Sequence, residues 1–223
     1  MPGARCAPVL ISAVLGAVAP AAAQQRVIQP DLGQVTEGAQ WRVVNRVATV
    51  LAEDGKPVAR LSEALLSGFA RLEGVEFDQG VIEFAVRGKN VPQRSFVGVA
   101  FHGVDDETYD AVYFRPFNFM SGDSTRRSHG VQYVAHPTFT WQKLRTEHPG
   151  EYEQPVDPAP DPDGWFHARV VVEDGTVSVF VNEATAPSLV VGQLSDRAGG
   201  WVGLWVGSGS GGDFADLRIT RRE

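Results

Sequence analysis

Between Tyr113 and Pro137 the chain reads YFRPFNFMSGDSTRRSHGVQYVAHP, and those 25 residues hold three arginines, two histidines, an asparagine and a glutamine among aromatic rings. A segment that only packs has no need of so many hydrogen-bonding groups. Planar guanidinium and amide groups bind paired hydroxyls, and aromatic rings stack on the apolar faces of polyhydroxylated ligands. In GVQYVAH, strand alternation places Gln132, Val134 and His136 on one face and Val131, Tyr133 and Ala135 on the other. Tyr113 and Arg115 share a face by the same period, so Tyr113, Arg115 and Gln132 are expected on neighbouring strands of one sheet. The expected ligand-binding set is Tyr113, Arg115, Asn118, Arg127, His129, Gln132, His136 and Trp141, with Trp141 a stacking platform at a cleft edge. A purely structural alternative has Arg115 pairing a carboxylate and His129 capping a loop. Arg145 with Glu147 or Glu151 reads as a surface ion pair, worth under about 1 kcal/mol.

Carboxylates decide whether hydrolysis is plausible. Retaining glycosidases hold two carboxyls roughly 5 Å apart, which alternation on one strand supplies. The near match is Glu76-Phe77-Asp78, but an E-x-D-x-x-E pattern needs an acid where Val81 stands, and Asp78-Gln79-Gly80 reads as a turn. Glu83 is a lone carboxylate that alternation can turn into a cleft; with His129 or His136 it forms the candidate catalytic pair, Glu83 or His129 serving as base. No G-x-S-x-G elbow occurs, and the five histidines lack zinc spacing. GSGSGG at 207–212 precedes a strand rather than a helix, so it reads as a loop and not a phosphate cradle. No cofactor is expected. Calcium is the one ion to weigh, at Asp157, Asp161 and Asp163, against the intervening prolines and the missing bidentate Glu.

The first residues limit the compartment. Arg5 precedes the apolar run VLISAVLGAV, and Ala21-Ala22-Ala23 offers small residues for cleavage before Gln24, the pattern of an export signal over residues 1–23. The run is too short to span a bilayer, and no later stretch is long and apolar enough. Cys6, the sole cysteine, falls within this segment, so the chain from 24 on has no disulfide and must be held by its core. The protein is expected in the periplasm or secreted. Loss of Arg5 takes the net charge from −7 to −8, which argues against nucleic acid and anionic membranes as partners.

Short alternating or β-branched runs, separated by Gly, Asp, Asn and Pro, predict strands at 40–51, 57–61, 81–87, 96–102, 109–115, 130–136, 165–173, 176–182, 201–207 and 213–219. FHARVVVEDGTVSVFVNE is a hairpin around Asp174-Gly175, a pair that tolerates the positive φ angles of a type I′ turn. Only residues 62–69 (SEALLSGF) have room for a helical turn or two, and 151–164, with four prolines, reads as a long surface loop. Strands without crossover helices imply antiparallel pairing in an all-β sandwich or barrel.

The stretches FVGVAFHGVDDETYDAVYFRPFNF, SHGVQYVAHPTFTWQKLRTEHPGEYE and WVGLWVGSGSGGDFADLRI resemble bacterial exported proteins of the concanavalin A-like lectin/glucanase superfamily. More narrowly they are similar to LamG-like jelly rolls, and more loosely to the 3-keto-disaccharide hydrolase domains. The resemblance spans about residues 35–222, leaving 24–34 as an N-terminal extension before a domain at 35–223. It implies a two-sheet antiparallel jelly-roll sandwich, concanavalin A-like, with a ligand cleft on its concave sheet and carbohydrate as the ligand class. Departure from E-x-D-x-x-E counts against glucanase chemistry, while the looser family implies acid/base attack on an oxidised sugar. Three functions stay open: glycan binding in the cleft, hydrolysis or elimination of a modified glycoside there, and a protein-interaction module built on the proline-rich loop.

Overall fold

A computed structural model of the protein describes residues 25–36, 38 and 40–222, together with Gly3. The expected export segment at 1–23, Cys6 included, otherwise lies outside the described residues. The chain runs through β1 (Gln25–Ile28), β2 (Trp41–Val44), β3 (Ala48–Glu53), β4 (Lys56–Leu61), β5 (Gly68–Phe77), β6 (Gly80–Arg87), β7 (Val97–Gly103) and β8 (Asp110–Phe114). Short helices α1 (Pro116–Phe119) and α2 (Ser124–Arg127) lead to β9 (Val131–Ala135), then α3 (Trp141–Glu147) and β10 (Glu153–Gln154). β11 (Phe166–Glu173), β12 (Thr176–Val181), β13 (Leu189–Gly192), β14 (Gly200–Val206) and β15 (Gly212–Arg222) complete it.

Two antiparallel sheets face each other. The first has the order β13-β12-β11-β6-β15-β4-β3, with β1 beside β15; the second has the order β10-β9-β8-β7-β14-β5-β2. This is the expected jelly-roll sandwich. The hairpin at Asp174-Gly175 forms with φ of 49° and 73°, both in the left-handed region that a type I′ turn requires. Val177, Val179 and Val181 point into the core from β12, and Phe166, Ala168, Val170 and Val172 do so from β11. Phe114 of β8 meets Phe166 of β11 across the sheets, ring centroids 5.0 Å apart. Each such fully buried side chain stabilises the fold by roughly 1.5–3 kcal/mol.

Several elements differ from expectation. Residues 40–51 do not make one strand: Asn45 at φ 52° breaks the run, and β2 and β3 enter different sheets. SEALLSGF is not helical. Leu66 sits at φ 63°, and Asn45 Nδ2 donates to the carbonyls of Leu65 (2.7 Å) and Ser67 (3.0 Å), which fixes a loop running into β5. Strand β5 itself has no clear alternation, because Glu73-Gly74 interrupts its apolar residues. Within the stretch expected as an N-terminal extension, β1 pairs with β15 and Leu32 is buried in the core. The proline-rich stretch is anchored rather than free: Tyr152 and Val156 join the core and β10 pairs with β9.

A buried ionic cluster closes one end of the sandwich. Asp110, fully buried, accepts from Ser195 Oγ (2.8 Å) and Arg197 Nη2, and lies 3.1 Å from His102 Nδ1, while His102 Nε2 donates to the Asp78 carbonyl at 2.7 Å. These bonds tie the segment between β13 and β14 to β7 and β8. No described helix is long and apolar enough to cross a membrane.

Candidate functional site

Because Phe114 faces the first sheet, alternation turns Tyr113 and Arg115 to the outer face of the second. The register places Phe69, Trp205, Gly98, Tyr113, Gln132 and Glu153 in one transverse row across β5, β14, β7, β8, β9 and β10. Gly98 has no side chain in the middle of that row, so the rings of Tyr113 and Trp205 meet over it, centroids 5.1 Å apart. A Cβ at Gly98 would stand 3.0 Å from Tyr113 Cβ and 2.1 Å from the Val112 carbonyl oxygen. The polar residues of this face are buried as deeply as the core, Gln132 at 0% and Tyr113 at 4% exposure. The short helices and loops that follow β8 and β9 lie over them.

Arg115 is the hinge of this arrangement. Pro116 ends the strand: Arg115, at φ −120° and ψ 84°, lies outside the helical region, and Pro116 opens α1. Its Nη2 donates to Tyr113 Oη at 2.9 Å and to Gln132 Oε1, and Tyr113 Oη donates to the same Oε1 at 2.6 Å. Those two donors fix the Gln132 amide with its oxygen toward the guanidinium, which leaves Nε2 sealed from solvent with no partner among the described residues. Arg115 Nη1 and Asn118 Nδ2 each donate to the His129 carbonyl at 3.1 Å, holding α1 against the start of β9.

Glu153, 3% exposed, is the centre that sequence reasoning missed. Arg145 donates to it in bidentate fashion, Nε to Oε1 at 2.8 Å and Nη2 to Oε2 at 2.6 Å. Arg115 Nη1 reaches Oε2 at 3.4 Å, and His129 Nε2 lies 3.2 Å from Oε1. The expected partners of Arg145, Glu147 and Glu151, are therefore replaced by a buried carboxylate on an edge strand. The alternation of E-Y-E offered a faint cue, but a two-residue strand has too few positions to establish a period. Burial lowers the pKa of His129 from its ordinary value; Glu153 pulls it up, while Arg145 and Arg115 add to the lowering. Burial likewise lowers His136, aided by Arg197. Burial raises Tyr113 despite the opposing charge of Arg115, so its phenol stays protonated.

Over this row opens a cavity of about 580 Å³, within the usual range of small-molecule sites. Of the expected residues, Tyr113, Arg115, Asn118, His129, His136 and Trp141 line it, and Gln132 lies beneath as the partner of Tyr113 and Arg115. Trp141 opens α3 at the rim, 42% exposed, with the Arg145 guanidinium 5.1 Å from its ring centroid. Thr140 caps that helix, its side chain accepting from Lys143 N. Phe96, Phe117, Trp205 and the amides of Gln93 and Gln142 also line the cavity; no periodic signal in the sequence marks them.

Two expected residues stand elsewhere. Glu83 is on β6 in the first sheet, on that sheet's outer face, where the nearest cation is Arg218 at 3.8 Å. Alternation did turn it outward, but on the opposite side of the sandwich, so it does not work on a ligand in this cavity. Arg127 donates from Nη1 to the Ser121 carbonyl (2.5 Å) and stabilises its own loop, and its neighbour Arg126 lines the cavity instead. The difference between the two follows from α2, which Asp123 caps by accepting from Thr125 N. Asp161 and Asp163 turn their carboxylates to backbone amides, Asp161 Oδ1 accepting from Asp163 N at 3.0 Å and Asp163 Oδ1 from Asn90 N at 2.8 Å.

No protein-family model matches the chain, and no curated protein sequence matches it. Solved structures do. A carbohydrate-binding module from Bacillus subtilis is 11% identical over 82% of this chain and 92% of its own, with a TM-score of 0.51. Domain 4 of AbnA, an extracellular arabinanase of Geobacillus stearothermophilus solved with arabinotriose, is 13% identical over 88% and 91%, TM-score 0.54. A galectin-like-fold protein of unknown function, also from Bacillus subtilis, is 11% identical over 87% and 94%, TM-score 0.56. At such identities the likeness shows the fold alone, a two-sheet antiparallel jelly-roll sandwich.

Proposed function

We propose that the protein is exported and binds an oligosaccharide in the cavity on the outer face of its second sheet. The observation that carries this reading is the make-up of the wall. Aromatic rings of Phe96, Phe117, Tyr113 and Trp205 and the half-exposed indole of Trp141 surround the guanidinium and amide donors of Arg115, Asn118, Gln93 and Gln142. Sugars present such a wall with apolar C–H faces and paired hydroxyls. A carbohydrate-binding module and an arabinanase domain solved with arabinotriose share this fold and support the ligand class, and the signal pattern at 1–23 supports export. A thermal-shift panel of soluble glycans tests the reading: wild type is stabilised by at least one of them, and Trp141→Ala is stabilised less by the same glycan at the same concentration. Protein recovered from outside the cytoplasm is expected to begin at Gln24.

One contact favours a second reading, hydrolysis or elimination on a modified glycoside in the same cavity. Glu153 Oε1 beside His129 Nε2 holds the proton on that nitrogen and leaves the Nδ1 lone pair of a neutral imidazole to act as base. Of the two expected bases, Glu83 and His129, it is His129 that lines this cavity. Product release from a 3-keto-glycoside, abolished in His129→Ala, is the outcome that would establish this reading over simple binding.

A further inference from the structure

Building on that binding reading, we infer that the cavity takes an acidic sugar: a short oligosaccharide bearing a carboxylate or sulfate group. The chain carries 27 acidic against 20 basic residues, yet the cavity wall reverses that balance. Arg115, Arg126 and Arg145 line it, and among the described residues no aspartate or glutamate does. The nearest carboxylate, Glu153, is buried behind the wall, with both of its oxygens engaged by Arg145 and one also by Arg115. That one negative charge engages two of the three guanidiniums, Arg115 and Arg145.

Arg126 is the cation left over. It is exposed on the short α2 helix, and among the described residues no carboxylate lies within salt-bridge distance of it. Every other arginine of the cavity is oriented by the protein itself. Arg115 is braced by Tyr113, Gln132 and the His129 carbonyl, and Arg145 by Glu153 while lying over Trp141. The braced pair holds its charge in place without reorganisation, and the unpaired Arg126 supplies a fork for the anionic group of a sugar whose ring rests on Trp141. A charge-assisted bidentate contact of this kind is about twice as strong as a neutral one.

The net charge of the chain bears on ligand length. A long polyanion lying across an acidic surface is repelled, whereas charges more than about 8 Å apart are screened at physiological ionic strength. One acidic residue seated in the cavity therefore feels the arginines, and a short oligosaccharide is favoured over a polymer.

The test is calorimetric titration of the full mature chain with four trisaccharides: galactotriose, trigalacturonate, its methyl ester and 6-sulfated galactotriose. At low salt the acidic forms are expected to bind about tenfold or more tighter than the ester and galactotriose. That advantage should shrink as salt is raised and vanish in Arg126→Glu, whose melting temperature serves as the folding control. Preference for the sulfated over the carboxylated form, or the reverse, identifies the anionic group. Equal affinity for acidic and neutral trisaccharides, or a preference untouched by both salt and Arg126→Glu, overturns the inference and leaves glycan binding standing. If none of the four binds, the binding reading falls with it.

Discussion

Glu153 and Arg145 meet as parallel forks, two N–H groups on two carboxylate oxygens at 2.8 and 2.6 Å, joining α3 to the edge strand β10. The same carboxylate faces the buried Arg115. Removing one member of a buried pair leaves its partner's charge desolvated and unmatched, which costs about 3–5 kcal/mol. Glu153→Gln strips compensation from both arginines and is expected to lower the melting temperature by about 10 °C, given roughly 2–4 °C per kcal/mol in a domain of this size. Arg145→Ala should cost much less, because that side chain is 36% exposed and water takes over its role. Equal melting temperatures for Glu153→Gln and wild type would show that the cluster is not a stabilising one.

Trp141 separates binding from stability. Its ring stands exposed at the rim, and Arg145, which lies over it, is held by Glu153, so Trp141→Ala should melt within about 0.5 kcal/mol of wild type. Loss of a stacking platform is worth about 0.5–1.5 kcal/mol beyond area burial, so affinity for a bound oligosaccharide should fall about tenfold. An unchanged dissociation constant would take Trp141 out of the site.

The two cavity histidines predict the direction of a pH effect. Burial, first of all, lowers the pKa of both His129 and His136. An unfolded histidine titrates near 6.5, so as the pH falls through that value the unfolded chain takes up protons that the folded chain does not. Stability therefore rises with pH through this window and is fully present above about 6.5. It declines as the pH drops below 6.5 toward the lowered folded values, after which the loss levels off. Wild type should lose melting temperature between about pH 7 and 5, and His129→Gln/His136→Asn should lose less over the same span. Parallel curves for the two proteins would place the pH dependence in other groups.

What the sequence disclosed follows the reach of each interaction. Residues 176–181 were legible because alternation over six positions is a local signal that burial on one face imposes, and 131–135, buried on both faces, because a short β-rich run stands there between Gly130 and Pro137. Tyr113, Arg115 and Gln132 came together for the same reason, each strand fixing its own outward face and the register aligning them. Glu153 was not legible, since its burial depends on β9 lying beside it, a contact set by chain folding and not by its neighbours in sequence. Glu83 shows the complementary limit: alternation told which way it pointed relative to its strand, but not to which sheet that strand belongs. Arg126 and Arg127 could be distinguished only once α2 fixed which of the two turns toward the cavity.

Gly98 ties the fold to the site most directly. It stands between Trp205 and Tyr113 in the transverse row, and the two rings close over the gap that its missing side chain leaves. A methyl group there would press on Tyr113 Cβ and on the Val112 carbonyl, a backbone atom that cannot rotate aside. Overpacking in a tight site costs about 1–3 kcal/mol, and here the strain falls on the strand that carries Tyr113 and precedes Arg115. Gly98→Ala is therefore expected to lower stability by at least that amount and to weaken ligand binding in the folded fraction, through displacement of Tyr113 from Gln132. Gly192→Ala, at a position with open space around it, is the control and should leave binding unchanged. If Gly98→Ala melts and binds as wild type does, the two rings do not depend on the gap, and the floor of the cavity is set by other contacts.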